Sequence, residues 1–518
     1  MSTIFENKQR RVIPNFRSLK KTVELGELDA NKNVLDPFVK DDLESYYKDF
    51  SEDKSIGTAG DLISAAIVNN IFNPIVSDAA QFILNNKKES SSVQIQIAEK
   101  ILDIGDNKIR PNIETIDELL ELSNRPLIHN RIRKIKSLGK YFDHNPFLYC
   151  ELSRLYSIIG QKESAIKNIK VAIGLAPNNR YILRSYARLM SHFGYIDSAH
   201  DILRKNIATK HDPWLLASEI AFASLRDKTS NFIKAGNEII ASNNFSPFSI
   251  SELASSIGSV ELTNGRRKRS KQLLESALIQ PNDNSLAQVE WINNKEEFFD
   301  LDIKRFNVEL NYEALTLESY NAKDWKKAIE NAEKWFIDMP FAKRPIMYAH
   351  HAASFFLQDY DTAIKFCKVG LISNPNDPQI INNIAFSLAM NNETTQAFEY
   401  LNKINISTVN DDPTRICLLA TSGLAYYRSG FPELGKRLYI QAMEYANKKK
   451  LPYYYYMALL NLAREEISIK SDISQNLYEQ VLKINEESDE DLKFLKYQVK
   501  NRILQLDEQR LLGHKQHR

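Results

Sequence analysis

Glycine and proline are scarce, at 16 and 17 of 518 residues, about 3% each against typical shares of about 7% and 5%. A chain so poor in breakers is mostly helix, with the breakers reserved for turns. Cysteine is scarcer still. Cys150, Cys367 and Cys417 are odd in number and far apart, which fits reduced thiols in the cytoplasm better than a disulfide framework. No stretch approaches 18 uninterrupted apolar residues, so no transmembrane helix is expected, and the polar start Met1–Arg11 does not read as a secretory signal. Charge of one sign is missing as well: 68 basic and 66 acidic side chains leave a net +2, which gives no global electrostatic case for nucleic acid or an anionic membrane. Finally, GxxxxGK[ST], GxSxG, HExxH and paired CxxC motifs are all lacking. The expectation is a protein that is not an enzyme and carries no cofactor or metal.

What is present is a period. The segments from Pro146 and Arg180 superpose at 180 − 146 = 34 residues, with Ser153 and Ala187 seven residues before Gly160 and Gly194, and Ala165 and Ala199 five after. Two antiparallel helices of about a dozen residues plus two short turns consume about 34 residues. Only Gly, Ala or Ser lets the paired backbones approach closely where they cross. The period recurs at Glu309, Arg344 and Pro378, with Ala328, Ala363 and Ala397 in the small slot, and again from Ile416 with Gly423 and Gly435. Fixed periods of this kind mark helical arrays stacked along one axis.

Leu152, Ser153, Tyr156, Gly160, Ala165, Ala172 and Pro177 stand at the spacing of the tetratricopeptide repeat family, which the chain resembles from Pro146 to about residue 485. The resemblance implies an all-α fold, a right-handed α-solenoid of helix pairs. Around it the expected organisation is an extended N-terminal arm over residues 1–50 and a small helical region over 51–145. A first array follows over 146–284, an irregular junction over 285–308, a second array over 309–485, and a C-terminal helix with polar tail over 486–518. Within the helical region, helices are expected over Ile75–Leu84, Val93–Ile104 and Asn112–Leu122.

The resemblance also implies that the first helix of each pair lines a concave groove and that the role is interaction with another protein. Carried onto this chain, the early pairs present Arg154, Arg184, Arg188 and His192, and the later ones Tyr320, Tyr348, Phe355, Phe356, Phe386, Met390 and Tyr427. Such a groove suits an extended or helical peptide with an acidic segment and apolar anchors. The bland reading is that the aromatics fill contacts between adjacent pairs. His350, His351 and Cys367 invite a metal site, but no fourth ligand or short spacing accompanies them, and packing is the better reading. The run Arg266, Arg267, Lys268, Arg269, Lys271 reads as a solvated turn, with nucleic acid as the alternative partner. In the arm, Arg10, Arg11, Arg17, Lys20 and Lys21 alternate with Val12, Ile13, Phe16, Leu19 and Val23, a pattern that docks either on the chain's own helices or on a partner.

Overall fold

The computed structural model describes residues 10–18, 40–69, 73–105, 126–139, 145–242, 244–484 and 489–516. The helix expected over Asn112–Leu122 and the arm residues Leu19, Lys20, Lys21 and Val23 lie outside these residues. The described residues are helical, with no strand among them, so the all-α class holds. They form two compact units, one of residues 13–242 and one of residues 10–12 and 244–516.

The first unit opens with α1 (Lys40–Glu52), α2 (Ile56–Asn69), α3 (Pro74–Asn85) and α4 (Ser92–Gly105). The latter two coincide with the expected helices to within one residue at each end. Phe50, Leu62, Ile63, Val76, Ile83 and Ile101 close their common core. Then come α5 (Pro126–Gly139) and the pairs α6 (Pro146–Ile158) with α7 (Lys162–Leu175), α8 (Arg180–His192) with α9 (Ile196–Lys205), and α10 (Pro213–Leu225) with α11 (Ile233–Ala241).

The second unit holds α12 (Pro247–Thr263) with α13 (Arg267–Ala277), then α14 (Asp283–Glu296), which is followed by a bend and the short turn Ile303–Arg305 instead of a second helix. Pairing resumes with α15 (Tyr312–Asn321) and α16 (Trp325–Asp338), α17 (Lys343–His351) and α18 (Tyr360–Ser373), and α19 (Pro378–Met390) and α20 (Thr394–Leu401). The pairs α21 (Asp412–Arg428) with α22 (Pro432–Lys448) and α23 (Pro452–Ser468) with α24 (Ser474–Leu482) lead to the closing helix α25 (Glu490–Gln516).

Local chemistry sets the boundaries. Seven of the ten first helices start on a capping side chain: Asn145, Asn179, Asp212, Ser246, Asn282, Asp377 and Asp411 each accept a hydrogen bond from a backbone N–H of the first turn. Pro146, Pro213, Pro247 and Pro378 follow the cap directly, where a missing N–H costs nothing. The corner after each first helix turns through one left-handed residue. It is glycine at Gly160, Gly194, Gly265 and Gly430 and another residue at Asp227, Glu297, Lys323, Gln358, Asn392 and Lys470, with φ from 49° to 83°. The glycine of the 34-residue signature is therefore a corner. The small slot seven residues earlier is a crossing, where Ser153 Oγ donates to Ala165 O across the pair at 2.8 Å.

Candidate functional site

The candidate partner-binding residues lie on the first helices of the pairs or, for Phe355 and Phe356, on the turn that extends α17. In the unit of residues 13–242, Arg154 is buried. Its guanidinium grips Glu151 through Nε (2.8 Å) and Nη2 (2.7 Å). Burial pushes the Glu151 carboxyl up, but Arg154 and Arg131 pull harder and hold it below its usual value. Arg184 is half-buried over the Trp214 ring, 5.2 Å from its centroid, and donates to Trp214 O. Arg188 and His192 are half-buried, with the His192 ring 4.8 Å from Phe193. Arm residues lie on the same unit: Phe16 is buried, Ser18 Oγ donates to Glu151 (3.1 Å), and Tyr181 donates to Arg17 O (3.2 Å). The described part of the arm thus docks on its own chain.

In the other unit Tyr320, Tyr348, Phe355 and Phe356 pack together around His351. Tyr320 bonds through its hydroxyl to His351 Nδ1 and packs edge-on against Trp325 and Tyr348 at 5.2 and 5.1 Å. A π-helical turn, Ala352–Leu357, extends α17 and aims Phe355 and Phe356 at the same cluster, with Phe356 flat on Trp325 at 3.9 Å. His350 faces the other way and donates from Nε2 to Asn383 O at 3.0 Å. Burial pushes His350 down to about 3 and His351 down to about 4, the second against the pull of Asp491. Among the described residues no group of three or more His, Cys, Asp or Glu is placed to hold a metal ion.

This cluster is covered from within the same unit. Helix α25 lies on it. Phe494 packs against Phe355 and Phe356, Asp491 accepts from Tyr453 (2.8 Å) and sits 3.6 Å from His351 Nε2, and Lys323 pairs with Glu490 (2.9 Å). Leu492, Leu495 and Val499 are buried beneath it. Their three- and four-residue spacing was the available signal, since an apolar stripe on a helix needs a face to cover. Phe386, with Phe355, Tyr454 and Leu495, encloses a cavity of about 70 Å³ under α25. Beside the helix an open cleft of about 650 Å³, within the size range of ligand sites, is lined by Met390, Tyr427, Arg428, Arg464, Phe494 and Tyr497. There the Tyr427 hydroxyl donates to buried Glu466, and Arg428 and Arg464 share Glu465.

A second seat on the face of this unit was not legible in the sequence. Arg10 is 4% exposed. Its guanidinium donates to Asn284 Oδ1 (2.9 Å) and Gln288 Oε1 (2.9 Å) of α14 and grips both oxygens of Glu313 of α15 (2.8 and 2.9 Å). Gln288 Nε2 returns a hydrogen bond to Arg10 O at 3.0 Å. Burial raises the Glu313 carboxyl, yet Arg10 and Arg344 together pull it down to about 2.

No family model matches the chain, and no curated protein does. Among solved structures the chain is similar to yeast Tom70 at 13% identity, over 76% of this chain and 95% of that one, with a TM-score of 0.31. It is also similar to the human IFIT1 dimer with m7Gppp-AAAA at 13% identity, over 82% and 99%, with a TM-score of 0.33. A third likeness is Naa15/Naa10 bound to HypK-THB, at 14% identity over 94% and 83%, with a TM-score of 0.25. None is close enough to argue what this chain binds. The helix pairs themselves define an all-α helical-repeat protein, and among the described residues no helix is long and apolar enough to cross a membrane.

Proposed function

We propose that the chain is a non-catalytic, cytoplasmic interaction scaffold that holds a partner protein or peptide on its first-helix face. One observation carries the reading: this face already seats an extended peptide segment, with side chain and backbone of Arg10 both gripped by residues of α14 and α15. A helix surface with no use for a peptide has no reason to present such a set of donors and acceptors. The nucleic-acid alternative would draw on the basic side chains, and several of these are already matched. Arg154 is paired with Glu151, Arg266 with Glu261, and Arg267 with Glu296. Of these only Arg154 is buried in its pair and withheld from a phosphate, since Arg266 and Arg267 are exposed.

A photo-crosslinking side chain in place of Tyr497, which is 61% exposed beside the cleft, tests the reading in extracts of the source cells. The expected result is a discrete protein adduct that is absent when the same group replaces Ile279, 67% exposed near the end of α13. An adduct with RNA, or equal labelling at both positions, would overturn it.

A further inference from the structure

The seat of Arg10 has more structure than a passive anchor requires. Each of its groups is held from behind by the chain itself. Gln288 Nε2 also donates to Ser259 Oγ at 3.0 Å, Asn284 Nδ2 to Glu252 Oε1 at 3.3 Å, and Glu313 keeps Arg344 as a second cationic partner. With Arg10 withdrawn, Glu313 keeps Arg344 as a counter-charge and the NH2 groups of Asn284 and Gln288 keep their acceptors, which holds the three side chains in place. Recognition of this kind is preorganised, and the ordering cost does not fall on the ligand.

The features being read are few. They are a forked guanidinium, matched by one bidentate carboxylate and two amide oxygens, and a single backbone carbonyl, matched by Gln288. Any extended segment carrying an arginine has both, and lysine, with three N–H donors on one nitrogen, cannot make the four forked hydrogen bonds of the guanidinium. Arg10 meets α14 and α15 through the side chains of Asn284, Gln288 and Glu313, so these contacts can be exchanged without breaking a helix.

We infer that Asn284, Gln288 and Glu313 form an exchangeable arginine socket: its ligand is an extended peptide segment with an arginine, and the chain's own arm is the resident competitor. This deepens the scaffold reading and rests on it for the existence of a partner. Tethering gives the arm an effective concentration of order millimolar, so a partner with the arginine alone is excluded and one with further contacts on the face displaces the arm. Selectivity then comes from the competition as well as from the socket.

The test uses the full chain and a fluorescein-labelled peptide of residues 1–14, read by anisotropy. The Arg10→Ala chain is expected to bind this peptide at least tenfold more tightly than the wild-type chain, whose socket is filled. A peptide carrying Arg10→Ala should bind the same variant at least tenfold more weakly, and adding Gln288→Ala to the chain should remove the difference between the two peptides. If Arg10→Ala lowers the thermal midpoint too far for binding work, Arg10→Lys gives the same comparison with the positive charge retained. Equal binding of both peptides, or no binding by a folded variant, overturns the socket. So does a crosslinked protein partner whose capture at Tyr497 is unchanged by Gln288→Ala, and in that case the scaffold reading stands without it. Selective peptide exchange with no protein captured at Tyr497 sustains the socket while the scaffold reading fails.

Discussion

Phe494 of α25 packs on Phe355 of the π-helical turn with ring centroids 5.5 Å apart, although 139 residues (494 − 355) separate them in sequence. The aromatic face marked for a partner is therefore covered, in part, by the chain's own last helix. Removing this contact is expected to loosen α25 without unfolding the pairs. Phe494→Ala should cost about 2–3 kcal/mol, below the value for a fully buried phenylalanine because this ring is half-buried. Hydrogen exchange should accelerate over residues 490–504 and stay slow in α19. Uniform acceleration across the unit would mean that α25 is an integral layer and not a cover.

Acid should weaken the same region, and the sign follows from the two histidines. His350 and His351 are held down to about 3 and about 4, chiefly by burial, so the folded chain keeps them neutral where the unfolded chain does not. Their contribution is fully present above the unfolded value near 6.5. It is lost as pH falls from there through about 4 and then about 3, a loss of a few kcal/mol in all by pH 4. Urea midpoints at pH 7, 5.5 and 4 should fall in that order. His350→Gln, which keeps a donor toward Asn383 O, should flatten the fall. Glu313, held at about 2, adds a further loss only below its usual value of 4.5.

Arg154 is predicted to matter for folding and not for binding. Its removal leaves Glu151, 2% exposed, with Arg131, whose side chain is 48% exposed, as the remaining cation of the cluster. Breaking a buried pair from one side costs about 3–5 kcal/mol, whereas neutralising both partners costs far less. Arg154→Met should therefore destabilise the chain strongly, and Glu151→Gln with Arg154→Met should recover most of the loss in denaturant melts. A stable single variant with reduced affinity for a polyanion would instead return Arg154 to the nucleic-acid reading.

How much could be read from residues alone depends on the range of the interaction. The corner at Gly160 and the crossing at Ser153 are set by local sterics, and such features repeat, so a period exposes them. The spacing places Tyr320, Tyr348 and Phe355 on first helices but does not show that they pack around His351. Arg154 is expected to line the groove, yet Glu151, three residues earlier on the same helix, pairs with it in the core. Asn284, Gln288 and Glu313 were invisible because a polar side chain on a helix gives no sign of whether it meets water or an arginine from 303 residues away. The covering by α25 was hidden for a related reason. Its apolar stripe says that a face exists but not which one.

The facing glycines of α21 and α22 give the sharpest test of the small-residue slot. Gly423 of α21 and Gly435 of α22 face each other. A Cβ built on Gly435 would lie 2.5 Å from Tyr427 Cδ2 and 2.7 Å from Gly423 O, and one on Gly423 would lie 2.9 Å from Gly435 O. A backbone oxygen cannot swing aside as a side chain does, so the helices must separate. Separation would strain Tyr427, whose hydroxyl is fixed on Glu466, and Tyr439, which is buried behind it. Gly435→Ala is therefore expected to cost about 2–3 kcal/mol despite the gain in helix propensity of up to about 1 kcal/mol. Gly174, on the outer helix α7, has nothing within 4 Å of the added Cβ, so Gly174→Ala should be neutral or slightly stabilising. Thermal midpoints of the two variants decide the matter: if Gly435→Ala melts no lower than Gly174→Ala, the small slot does not mark close backbone approach.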